Sequence, residues 1–149
     1  MQSIFFHVPM EPKGSPRPRT TKTGHVFMPA GYMAWKKAFA SHATQSMPDA
    51  ELPWWPGKTP LELDVDIKVK MPKSWSIKKQ CEHLGRGIAQ KPDIDNILKS
   101  VMDALNGVAW EDDAQVTRVS VSTKWSLSET YIAVRISSEV HPNAADQNA

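Results

Sequence analysis

Spaced by their apolar residues, the stretches of this chain fall into alternating and helical patterns separated by proline-rich loops. The longest alternation covers residues 61–71, where Leu61, Leu63, Val65, Ile67, Val69 and Met71 interleave with Glu62, Asp64, Asp66, Lys68 and Lys70. A period of two predicts a strand with one face in the core and one in water, which accounts for its acids without further chemistry. Residues 3–8 predict a shorter strand and residues 25–28 another, before Pro29. Residues 115–125 and 130–138 also alternate, and the polar turn at 126–129 predicts that they pair as a hairpin. Helical spacing occurs twice. Residues 30–47 put Tyr32, Trp35, Phe39, Ala43 and Met47 on one face, ending before Pro48. The second helix is predicted between Asp95 as N-cap and Gly107 just past its end, with Ile94, Ile97, Leu98, Val101, Met102 and Leu105 as a buried stripe. Residues 76–84 predict a further short helix, and the Trp54-Trp55 pair between prolines is expected to pack over the domain.

Strand, helix, strand, helix, then a hairpin predicts a single α+β domain, a mixed β-sheet with helices packed on one face. It is expected to span residues 1–138, with 139–149 as a flexible polar tail. A chain of 149 residues has room for one such core. Its one cysteine, Cys81, permits no internal disulfide and suits a reducing cytoplasm. Neither a secretory leader nor a run long enough to span a membrane is visible, so a cytoplasmic protein is expected.

Net charge is only +2, but its distribution is informative. Two loops are basic: residues 9–25 carry Lys13, Arg17, Arg19 and Lys22 against Glu11, and residues 72–91 carry Lys73, Lys78, Lys79, Arg86 and Lys91 against Glu82. Prolines exclude regular helix or central strand from the first loop. The second is long for a compact domain, which suggests a flexible clamp. Basic loops framing an acidic centre suit a protein that grips a polyanion, and Lys or Arg there would contact phosphates.

The acidic centre is the stretch around the second helix. Asp95, Lys99, Asp103 and Asn106 recur on its polar face, Asp93 precedes it, and Asp112-Asp113 follow. One account is a cap plus an i, i+4 ion-pair ladder. The other is a metal site. The helix should be roughly 16–18 Å long, and residues 108–113 cover about that distance if extended at ~3.3 Å per residue. Asp113 is thereby expected to return beside Asp93 and Asp95, where three carboxylates need a divalent cation; oxygen ligands suit Mg²⁺, or Mn²⁺ in its place.

The pattern Asp93-x-Asp95-Asn96-x-x-Lys99, followed by Trp110-x-Asp112-Asp113-Ala114-Gln115-Val116, resembles that of the RusA-type Holliday junction resolvases, small Mg²⁺-dependent endonucleases of bacteria and their prophages. The resemblance implies that Asp93, Asp95 and Asp113 are metal-binding catalytic acids and that Lys99 assists beside the scissile phosphate. Lys99 is alternatively only the ion-pair partner of Asp95. Asn96 and Asp112 would stand behind the ligands. It further implies a homodimer acting on four-way DNA junctions in recombination or repair, by paired symmetrical nicks, with no small-molecule cofactor and no membrane. Two alternatives stay open: another structure-selective metal-dependent DNA nuclease, and a non-catalytic DNA-binding module.

Overall fold

A computed structural model describes residues 2–142. In chain order the elements are β1 (Gln2–Val8), β2 (Arg19–Thr20), β3 (Val26–Phe27), α1 (Ala30–Ser46), β4 (Leu61–Lys70), α2 (Ile77–His83), α3 (Ile94–Leu105), a 3₁₀ turn (Asp113–Gln115), β5 (Val116–Ser126) and β6 (Tyr131–Ser138). They form one α+β unit with a mixed four-stranded sheet ordered β1-β6-β4-β5, beside a separate two-stranded ribbon of β2 and β3. β4 runs parallel to β5 and antiparallel to β6, which is antiparallel to β1. Parallel neighbours need a long crossover, and here the whole acidic centre lies inside it.

The core sits on one face of the sheet. Ile4, Phe6 and Val8, Leu63, Val65 and Ile67, and Val134 and Ile136 turn to that face and are buried. α1 and α3 pack on it and on each other. Phe39 meets Phe6 edge-on at 6.4 Å, and Trp54 meets the same ring at 6.0 Å. Trp54 and Trp55 are both fully enclosed, as the packing expectation required. Their backbone amides donate to the carbonyls of Val108 and Ala109, so this loop holds the segment after α3 in place.

Three local expectations are corrected. The predicted hairpin does not form, because β4 lies between β5 and β6. The connecting turn instead wraps the end of β4: Met71 N donates to Ser126 O and Lys70 N to Thr130 Oγ1, each at 2.9 Å. The second helix starts two residues early, with Asp93 as its N-cap and Asp95 within its first turn. Its buried side is Ile97, Ser100, Val101, Ala104 and Leu105, while Ile94 is 44% exposed. Finally, the basic connection before α3 is docked rather than free. Gly85 N donates to Trp125 O and Trp125 N to Arg86 O, which ties the connection to β5. Of the expected tail, 139–142 are described, and Val140 O accepts the indole N–H of Trp55 at 2.9 Å; residues 143–149 lie outside the described residues.

Candidate active site

The start of α3 is built by three segments. The chain arrives through Lys91 and Pro92, and Asp93 caps the helix without a side-chain cap bond. Across it lies a strap formed by the first part of the basic arm. Glu11 O accepts the Trp35 indole N–H, Lys13 O accepts the Ser100 hydroxyl, and Ser15 N donates to Asn96 O at 3.3 Å. Gly14 is needed for this approach, since a Cβ there would stand 2.9 Å from Pro92 Cβ. Asn96 thus serves the strap through its backbone.

Asp93 and Asp95 are exposed at this end, and Asp93 pairs with Lys91 at 3.2 Å. Lys99 is exposed one turn along, and neither ion pair among the described residues includes it. The ladder through Asp95, Lys99 and Asp103 therefore does not form. Asp103 instead accepts the Tyr32 hydroxyl at 2.8 Å. Burial first, and then this carboxylate, push the Tyr32 pKa up to about 12.

Asp113 departs from expectation. Its Oδ1 accepts the Trp110 indole N–H at 2.8 Å and the Asn106 amide at 3.3 Å. Asn106 is the C-cap of α3, so Asp113 stands at the far end of the helix, about 16–20 Å along its axis from Asp95 and Asp93. The sharp turn at Gly107, with φ of 85°, and the Trp110 carbonyl accepting Gly107 N at 2.7 Å fold the segment back on itself before it can return. Among the described residues no three acidic, histidine or cysteine side chains gather as a metal site. Of the three acids expected to share a metal, one chain carries Asp93 and Asp95 at one end of α3 and Asp113 at the other.

Behind Asp113, Asp112 caps the 3₁₀ turn by accepting Ala114 N at 2.9 Å. Gln115, buried, accepts the amides of Glu111 and Asp112 and donates to the carbonyls of Trp55 and Thr59. Trp110, Asn106 and Gln115 are thus the residues that orient Asp113. Sequence reasoning gave them no such role, although the Trp110-x-x-Asp113 spacing carried the signal.

Residues 9–137 match the family described as Endodeoxyribonuclease RusA. The chain belongs to the RusA endodeoxyribonuclease family. Its chemistry is accordingly that of a DNA endonuclease, a phosphodiester hydrolase. It is also 37% identical over 133 residues to the uncharacterized protein YqaN of Bacillus subtilis (strain 168), a match covering 85% of this chain and 90% of that one.

Within this RusA-family fold the basic side chains stand in two places. Residues 17–27 are exposed throughout, so Arg17, Arg19 and Lys22 project on the β2–β3 ribbon, while Lys13 lies on the strap. Lys73, Lys78, Lys79, Arg86 and Lys91 are exposed around α2 and the connection to α3. Lys79 is held over the Trp75 ring at 4.3 Å, and Trp75 meets Trp125 at 4.9 Å. No helix among the described residues is long and apolar enough to cross a membrane.

Proposed function

We propose that this RusA-family chain is a divalent-metal-dependent endonuclease that resolves four-way DNA junctions, as a homodimer, by paired nicks. The observation that carries this reading is the division of the acids: Asp93 and Asp95 at the start of α3, and Asp113 held at its other end. A second copy lying antiparallel along α3 would bring its Asp113 to Asp93 and Asp95 of the first. Two-fold symmetry then yields two equal sites, the number that a four-way junction requires.

The donor set consists of hard carboxylate oxygens, which suit Mg²⁺, with Mn²⁺ as the alternative. A bound divalent ion would supply a more acidic water and neutralise phosphate charge. The chain's own residues do the rest. Trp110 and Asn106 fix Asp113 through Oδ1, leaving Oδ2 for a ligand. Lys99 lies free of ion pairs one turn from Asp95, in reach of a phosphate on the same helix face. The β2–β3 ribbon has the form of a two-stranded element able to enter a groove. Together with the lysines around α2 it supplies sequence-independent grip.

The test is cleavage of a labelled synthetic four-way junction, with and without Mg²⁺, by the native chain and by Asp95→Asn. Paired symmetrical nicks that need metal and vanish in the variant, with junction binding retained, are expected. A native chain that leaves junctions intact in Mg²⁺ and Mn²⁺ overturns the reading. Equal cutting of flaps or plain duplex would replace it with that of a broader nuclease.

A further inference from the structure

A cavity of about 210 Å³ opens beside the start of α3, between the strap and the connection that follows α2. Ile67, Val69 and Ile97 form an apolar floor, Trp125 stands on one side, and Gln90 is at the rim. Ile94 also lines it. That residue lies between Asp93 and Asp95, and its 44% exposure is out of keeping with the buried side of the helix. The walls are fixed before any ligand arrives. Trp75 braces Trp125 edge-on at 4.9 Å, and the hydrogen bonds joining Trp125 to Gly85 and Arg86 hold the connection against β5.

We infer that this slot receives one unstacked nucleobase of the DNA next to the cleaved phosphate. The inference rests on the nuclease reading above and adds to it a subsite. Four observations select a base as occupant. The cavity has room for a single planar ring system. Its lining is mostly apolar, with one indole of the kind on which bases stack, and Glu11, Lys91 and Thr123 add polar groups. Its lining includes Pro92 and Ile94, the chain neighbours of Asp93 and Asp95, so a base entering it belongs to a nucleotide near the reacting phosphate. The rim carries a side-chain amide, which offers both a donor and an acceptor to a base edge.

The slot also explains how such a protein discriminates between DNA shapes. Taking a base out of a paired stack is costly in continuous duplex and least costly where the base is already unpaired. At the branch point of an open junction the bases are paired but have lost a stacking neighbour, so the slot is filled at less cost there than in continuous duplex. Gln90 then adds a preference among the bases.

The experiment maps cleavage by the native chain on junctions in which each base next to the cut is varied in turn, with an abasic residue as a fifth option. At one position the best base is expected to exceed the abasic residue by about tenfold in rate, the scale of one stacked or hydrogen-bonded base. Ile88 also lines the slot, and Ile88→Trp, which fills it, is expected to bring that ratio close to one. Leu127→Trp, which adds the same ring at the exposed turn after β5, keeps it. Gln90 is exposed, so Gln90→Ala is compatible with folding and changes which base is preferred. Junctions that are cut with no base-dependent position, or an undiminished preference in both Ile88→Trp and Gln90→Ala, overturn the slot and leave the nuclease reading standing. If Ile88→Trp does not fold, an undiminished preference in Gln90→Ala is sufficient to overturn it. A native chain that cuts no junction removes both.

Discussion

Gln115 shows how one side chain can set the position of a catalytic candidate it never touches. Its amide is buried with two acceptor and two donor bonds made, and these join the turn before β5 to the Trp55 loop. Gln115→Leu keeps the approximate volume and strands those partners. A loss of ~2–4 kcal/mol is expected, read by urea unfolding, together with slower junction cutting as Asp113 loses its support. Tyr32 makes a different prediction. Its proton is held more tightly in the folded chain, with the pKa moving from 10.0 to about 12. The stability linked to the Tyr32 proton, from burial first and then the Asp103 bond, is therefore complete below pH 10 and disappears as pH rises from 10 towards about 12. Tyr32→Phe is expected to lower stability at pH 8 by ~1–2 kcal/mol and to lose less stability than the native chain across that alkaline range, measured by denaturant titration at each pH. At this scale the sequence was partly legible. The acids and Lys99 stand out by type and spacing. The geometry of Asp113 does not, because a length argument permits a return that the Trp110 and Asn106 bonds stop.

Among the elements, α1, β4 and α3 were legible because each carries a long, unbroken period that burial alone can satisfy. β5 and β6 were legible as strands and misread as partners. Two alternating runs with a polar turn between them specify adjacency only if no better strand competes. β4, the most regular alternation in the chain, takes the place between them and pairs with both. The strap was not legible at all: its prolines announce irregular backbone, and its partners Trp35, Asn96 and Ser100 lie far away in sequence. Gly14→Ala tests it. The new methyl would meet the Pro92 ring, which has no flexible end to move aside. The strap should lift from α3 at a cost of ~1–3 kcal/mol, seen as a lower melting temperature, with weaker junction cutting because the ribbon loses its base.

For the whole molecule, the division of acids along α3 makes a prediction that one chain cannot satisfy alone. Asp95→Asn and Asp113→Asn are each expected to be inactive on junctions. Mixed and allowed to exchange subunits, they form some dimers in which one site has all three native acids and the other has two substitutions. Single nicks, without paired resolution, should then return, with about half of the molecules as mixed dimers if exchange is random. Persisting inactivity of the mixture, with exchange shown by a labelled subunit, would mean that each chain completes its own site.

The sheet order has a consequence for how the molecule comes into being. Among the described residues β6 is the last strand made, yet it lies between β1, the first, and β4. Until residue 138 has left the ribosome, β1 has no neighbour and β4 has one open side, both rich in β-branched or aromatic side chains. Such unpaired edges invite pairing with other chains. The nascent protein is thus most vulnerable just before β6 emerges, and a chain stopped short of β6 lacks the strand that joins β1 to β4.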